Sequence, residues 1–388
     1  MNQTGCYILC YYFPEFVRTA TLLQALQPVE WLTLHSARNT TRGWLRYAQA
    51  LSRLVWIRLR YHPDFYILGF RGYELFWIVR LITWGKPLFL DHMMSPYDSL
   101  VNEKHRFSAN SWLARIVHEY EKGILNEANI VLTDTPMHQA YFARLFGISP
   151  QKIYPLHVAA DETLFKPCVT KPQDLSSEVL SVFFYGSFLP LHGIEVILQA
   201  AFRLLGQPVQ FTLVGGHKQD LRPFHTLCSQ LNLTNVTHIP WIDYVDLPQW
   251  ACQADLCLGG PFGNTGQGRR VITGKTFQFL ALGQPTVVGL AEKNEHFIHQ
   301  QNCLLIPQGD PAALAEVIAW AAGHRQELAE IGRQGHSLYQ QEFSVARLRE
   351  QLEMILHHAL LPTWIPLSPS GSSAYRQTWC NVSGSWPR

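Results

Sequence analysis

The stretch V179-L-S-V-F-F-Y-G-S-F-L-P-L-H-G-I-E-V-I-L-Q-A-A-F-R-L-L-G-Q-P-V-Q-F-T-L-V-G-G216 decides the fold. A short apolar run ends in Gly186 and Ser187, a helical pattern follows at 193–205, and a second apolar run ends in Gly215 and Gly216. An uninterrupted apolar strand reads as buried on both faces, and strand, helix, strand in that order is a βαβ unit of a parallel sheet. The alternation continues outward: "DLRPFHTLCSQLNL" (220–233), "VTHIP" (236–240), "DLPQWACQA" (246–254), "DLCLGG" (255–260), "TGKTFQFLALG" (273–283), "PTVVGL" (285–290), "CLLIP" (303–307) and "DPAALAEVIAWAAG" (310–323). This predicts a doubly wound α/β domain.

The first half repeats the pattern, with strands expected at "CYILCYY" (6–12), "VEWLTL" (29–34), "FYILG" (65–69), "KPLFLD" (86–91) and "NIVLTD" (129–134). Helices are expected at about 18–26, 40–60, 72–84 and 111–127. At 388 residues the chain is too long for one ordinary core. Its expected organisation is a domain over 1–165, a second over 166–345, with the Pro- and Ser-containing 160–178 as linker, a helix at 346–361 returning to the first domain, and a loose tail over 362–388. Two such domains face each other across a cleft at the carboxyl ends of their strands, where ligands bind.

The net charge of +2 argues against nucleic acid as a partner. The eight cysteines form no CxxC pair and no metal-ligand spacing, so reduced thiols in a cytoplasmic protein are expected. No window holds the roughly 18 uninterrupted apolar residues of a spanning helix. The segment 36–60 carries Arg38, Arg42, Arg46, Arg53, Arg58 and Arg60 without an acidic residue. On a helix, five of the six share one face and leave Leu51, Leu54, Val55 and Leu59 on the other. Two readings stand: a helix on the sheet with a solvated arginine face, or peripheral contact with an anionic membrane.

Chemistry is expected in the loops after the strands. Gly186, Ser187, Gly215 and Gly216 let backbone approach a ligand, and His192 precedes a helix start. The loop "GPFGNTGQGRR" (260–270), with Gly263 and Asn264, leads into Arg270, Lys275 and Thr276. Cations at a helix start oppose the macrodipole unless an anion lies between them. Glycine loops converging on Arg270 and Lys275 suit a diphosphate.

Those segments, with "IPWIDYVDLPQWACQADLCLGGPFGNTGQGRRVITGKTFQFLALGQPTVVG" (239–289), resemble the donor-binding half of glycosyltransferase family 4, which has the GT-B fold of two Rossmann-like domains. "KPLFLDHMMSPYDSLVNEKHRF" (86–107) and "ANIVLTDTPMHQAYFARLFGISPQKIYPLHVAADETLFKP" (128–167) are similar to the acceptor half of part of that family. The resemblance implies a nucleotide-sugar donor, a glycan or lipid-linked acceptor in polysaccharide biosynthesis, hexosyl transfer with retention of configuration, and neither metal nor other cofactor. Two glutamates that the family often carries eight positions apart match Arg270 and Gln278 here; Gln278 is then expected to bond a ribose hydroxyl, and Arg270 a phosphate. Asp91 and His92, with Asp98, are expected at the cleft, either orienting acceptor or sugar, or as a helix cap with a ring packed beneath it. A non-catalytic sugar-nucleotide-binding scaffold and a sugar-nucleotide 2-epimerase are the other readings, and a GT-A transferase is disfavoured because no DxD motif occurs.

Overall fold

A computed structural model describes residues 2–360 except 12, 14–15, 104–105, 169–177, 291–293 and 295. The expected loose tail therefore lies outside the described residues, as does the middle of the expected linker.

Each half is built on a six-stranded parallel sheet. In the first, β1 (Gln3–Leu9), β2 (Leu32–Arg38), β3 (Phe65–Leu68), β4 (Leu88–Asp91), β5 (Ile130–Thr133) and β6 (Ile153–Pro155) lie in the order β2-β1-β3-β4-β5-β6. β3, β4 and β5 are buried at every position, as their continuous apolar sequences require. The helices α1 (Val17–Leu26), α2 (Leu45–Tyr61), α3 (Phe76–Ile82), α4 (Trp112–Glu127) and α5 (Pro136–Phe146) join these strands. α1 covers one face, while α2 to α5 cover the other through Leu54, Ile57, Val79, Ile124 and Phe142. Local chemistry sets their ends: Ser111 caps α4, and α5 is capped by Thr135, whose side chain accepts from His138 N, and closed by Gly147 in the left-handed conformation.

The second sheet runs β12-β11-β10-β7-β8-β9. Its strands are β7 (Leu180–Gly186), β8 (Val209–Gly215), β9 (Val236–Ile239), β10 (Leu256–Leu258), β11 (Thr286–Leu290) and β12 (Leu304–Pro307). The helices are α6 (Ile194–Arg203), α7 (Lys218–Gln230), α8 (Leu247–Gln253), α9 (Gly274–Leu282), α10 (Pro311–Gly323) and α11 (Arg325–Leu338). Two fold-deciding features recur here: strands bonded in parallel, and helices on both faces, the doubly wound Rossmann-like pair of the GT-B fold. A last helix, α12 (Val345–Leu360), leaves the second domain and packs on α1 and the first sheet through Leu348, Leu352 and Leu356.

Three expectations need correction. β2 starts at Leu32 rather than near Val29, because Leu32 is where pairing with Gln3 begins. α2 starts at Leu45, so Arg38 sits on β2 and Arg42 in the connecting loop; of the apolar set, Leu54 is fully buried, whereas Val55 and Leu59 face outward. The thiols are not all reduced: Cys168 and Cys252, 84 positions apart, form a disulfide that ties the stretch after the first domain to α8. Cys6, Cys10, Cys228, Cys257 and Cys303 are free. Cys380 is outside the described residues.

Candidate donor and acceptor cleft

Three loops of the second domain are locked together by glycines at strand ends. Gly216 N donates to Gly186 O at 2.9 Å. Gly215 has φ +105°, and a Cβ there would stand 2.2 Å from Gly186 O. Gly263 N donates to Leu191 O at 3.0 Å, and a Cβ on Gly263 would stand 2.0 Å from Pro190 O. Backbone approach this close admits no other residue. The loops after β7, β8 and β10 thus form one surface in front of α9.

Lys275, in the first turn of α9, points back under that surface. It is 5% exposed, and its Nζ lies 4.9 Å from the centre of the Phe184 ring. No carboxylate pairs with it among the described residues. Burial pushes its ammonium down from 10.5 to about 7. His192 is half-buried, with its Nδ1 enclosed; desolvation first, and the nearby Lys275 charge second, hold its imidazole well below the usual range. Its Nδ1 has no hydrogen-bond partner among the described residues and lies 3.0 Å from where a Cβ on Gly186 would be. A buried cation beside an orphaned ring nitrogen, under a glycine surface, is short of an anion.

Arg270 faces the other way, into the first domain. Its guanidinium pairs with Asp98 and stacks 3.7 Å from the Tyr141 ring centre, and its carbonyl accepts from Thr135 Oγ1 at 2.5 Å. Asp98 also accepts from Asn102 Nδ2 at 2.7 Å and Tyr141 Oη at 2.9 Å. Beside this pair a cavity of about 310 Å³ opens between the domains, lined by Asp98, Asn102 and Glu103 on one side and Pro190, Asn264, Thr265, Gly266 and Gln267 on the other. With its nitrogen turned inward, the Gln267 amide donates to both Glu103 oxygens at 2.7 Å. Carboxylates and amides at the wall, with Arg270 held on Asp98 beside them, suit the hydroxyls of a sugar.

Other expected residues have different work. Asp91 is fully buried in an ion pair with Arg18 at 3.0 Å, and His92 Nε2 lies 2.8 Å from the equally buried Glu121. Neither side chain meets open space; both brace the end of β4. Gln278 donates from Nε2 to Tyr244 Oη at 2.9 Å and accepts from Tyr185 Oη, so both ends of its amide are used. Asn264 Oδ1 accepts from Arg269, at 3.0 Å from Nε and 2.7 Å from Nη2. Thr276 Oγ1 lies 3.2 Å from Thr273 Oγ1 at the start of α9. Ser187 follows the last residue of β7 at the rim of the glycine surface.

Sequence reasoning passed over Tyr141, Asn102, Glu103 and Gln267, and the buried Asp134–His138 pair at the head of α5. For Asp134 and His138 a signal existed, since they follow β5 and so stand at the carboxyl edge of the sheet. The others depend on domain contact, which no local pattern carries. No group of three or more His, Cys, Asp or Glu side chains able to hold a metal occurs among the described residues, and no helix there is long and apolar enough to cross a membrane.

No curated protein matches the chain in sequence. In structure it is similar to HepE from Anabaena, solved with UDP-glucose, at 16% identity over 92% of this chain and 100% of that one, TM-score 0.68. Similar too are sucrose-phosphate synthase from Thermosynechococcus elongatus, at 17% identity over 93% and 100% with TM-score 0.69, and a glycosyltransferase from Rickettsia africae, at 11% identity over 93% and 99% with TM-score 0.66. Residues 180–323, almost the whole second domain with its glycine loops, Arg270 and Lys275, match the model of the glycosyl transferases group 1 family, and the chain around them has the two-domain GT-B fold of glycosyltransferases.

Proposed function

We propose that the protein is a glycosyltransferase that moves a sugar from a nucleotide-sugar donor to a hydroxyl of a glycan or lipid-linked acceptor, with retention of configuration and without a metal or other cofactor. The single observation that carries this reading is Lys275, a buried cation with no carboxylate partner among the described residues, set behind three joined glycine loops. The donor diphosphate supplies the missing charge, held by Lys275, His192 and the backbone of Gly186, Ser187, Gly215 and Gly216. Gly263, Asn264 and Thr276 shape the donor side of the cleft, and the sugar and acceptor meet in the Asp98–Gln267 cavity. The similar HepE structure with UDP-glucose supports a nucleotide sugar as the ligand class.

In the transfer, the bond between the anomeric carbon and the phosphate oxygen breaks and a bond from that carbon to the acceptor oxygen forms. The acceptor proton passes to the departing phosphate oxygen. Lys275, protonated by the approach of the diphosphate, and Arg270, released from Asp98, stabilise that leaving group, which is the largest contribution such a site offers. Arg18–Asp91 and His92–Glu121 hold the opposite wall. An acceptor on a lipid carrier would bring the basic segment 38–60 to an anionic membrane surface.

A thermal-shift screen of UDP, GDP and ADP and their sugar conjugates tests the donor assignment. One nucleotide should raise the midpoint, by mass action on the folded state, and Lys275→Ala should remove the rise. No shift with any of them rejects the reading. The second reading, a binding scaffold, is favoured by one observation: Gln278 is closed off by Tyr185 and Tyr244 where the family often has a glutamate. Binding without release of nucleotide from any sugar conjugate would select it.

A further inference from the structure

We infer that the outer face of α2, α3 and α4 is a docking surface for an anionic lipid bilayer, which enters it at the level of the headgroups and upper acyl chains. The inference deepens the lipid-linked acceptor proposed above and widens it from one basic segment to three helices. On α2 the inward stripe is Ala50, Leu54 and Ile57, so the outward side presents Leu45, Val55, Trp56 and Leu59, the last 71% exposed. α3 turns Trp77, Ile78 and Leu81 outward, with Leu81 72% exposed and Trp84, just beyond the helix, 70%. α4 contributes Trp112, Ile116 and Tyr120, four residues apart and therefore on one stripe.

These are neighbours rather than scattered exceptions. All three helices cover the same face of the first sheet. Arg58 Nη2 donates to Trp84 O at 3.0 Å, Arg80 Nε pairs with Glu127 at 2.7 Å, and Trp77 lies 3.5 Å from where a Cβ on Gly123 of α4 would be. A soluble monomer rarely leaves contiguous apolar surface of this extent to water.

Charge identifies the occupant. α2 carries Arg46, Arg53, Arg58 and Arg60 and no acidic residue, with Arg53 and Arg60 beside the Trp56 stripe. Three carboxylates nearby are engaged, Glu74 with Arg46, Asp64 with Lys86, and Glu127 with Arg80, while Glu119 on the α4 stripe is exposed and faces the His118 ring. A second copy on the same face would set arginine rows against each other in a self-complementary interface. Tryptophan above leucine with arginine at the flank is the chemistry of a membrane interface. Each helix starts at the carboxyl end of its preceding strand, so Trp44 and Trp112, 75% and 68% exposed, mark the end of the surface nearest the cleft. A lipid-held acceptor is thereby presented at the cleft side.

Flotation of the full chain with phosphatidylcholine vesicles, with and without 30 mol% phosphatidylglycerol (~0.1 M salt), tests this. Binding to the anionic vesicles, with a blue shift of tryptophan emission, is expected, and little binding to the neutral ones. Leu59→Ser with Leu81→Ser should abolish the blue shift. Arg53→Gln with Arg60→Gln should weaken binding about twenty-five-fold, from roughly a fivefold contribution per basic residue. Both variants should keep the nucleotide-induced thermal shift, so failure here and failure of the donor reading are separate results. No flotation by protein that still shows that shift overturns the inference. So does a concentration-dependent dimer that the Leu59/Leu81 variant abolishes, which would give the face to a second copy.

Discussion

At the scale of single residues, Lys275 carries the most chemistry. Its ammonium titrates near 10.5 when unfolded and about 7 when folded. Between those values the unfolded chain binds more protons, so the ligand-free protein gains stability as pH rises from 7 to 10.5. Below pH 7 the full penalty, roughly 5 kcal/mol, is present. Lys275→Met should therefore raise the ligand-free urea midpoint at pH 7 and leave less difference between pH 7 and 9.5 than the parent shows. The same residue predicts proton uptake. A diphosphate restores the charge, so calorimetric titration with the binding nucleotide at pH 8, in two buffers of different ionisation enthalpy, should show close to one proton taken up per site. No uptake would mean that the diphosphate sits elsewhere.

At the scale of elements, the loops after β7, β8 and β10 act as a unit because their glycines touch. Gly263→Ala would drive a methyl into Pro190 O, and Gly215→Ala would add a left-handed backbone to a clash with Gly186 O. Each should cost at least about 2 kcal/mol in urea unfolding, with loss of nucleotide binding beyond that expected from stability alone. A variant at Gly85, where a Cβ meets nothing, serves as the control for the left-handed backbone alone. These elements were legible in the sequence because buried parallel strands are written as unbroken apolar runs. The "FYILG", "KPLFLD" and "NIVLTD" runs lie where β3, β4 and β5 form. Lys275 was legible at its helix start. Asp91 and His92 were legible as strand-end residues, but their partners Arg18 and Glu121 lie 73 and 29 positions away, and only the fold reveals that the pairs close. The α2 face stayed open between two readings for a related reason: a helical wheel separates arginines from leucines without saying which side the sheet takes, and Leu54 turns out buried while Val55 and Leu59 face outward.

At the scale of the whole molecule, Arg270 links the domains through Asp98 and is also the residue proposed above to reach the donor phosphate. Asp98→Asn should loosen that link and tighten nucleotide binding about fivefold, the low end of ordinary coupling between sites; unchanged affinity by titration calorimetry would show that Arg270 never leaves Asp98 for the phosphate. Cys252→Ser, which opens the disulfide to Cys168, should lower stability by about 2–4 kcal/mol in urea without changing nucleotide affinity. The return of α12 to the first domain has a further consequence. The chain passes between the domains twice, and Glu162 on the outward passage accepts from both Tyr339 Oη at 3.0 Å and Val345 N at 2.8 Å on the way back. Two tethers joined at one point act like a knot in a pair of cords: the crossings are held together at Glu162, so neither can shift there without the other. Glu162→Gln, which weakens that knot without touching any residue lining the cleft, should therefore lower stability in urea while leaving the glycine loops in place.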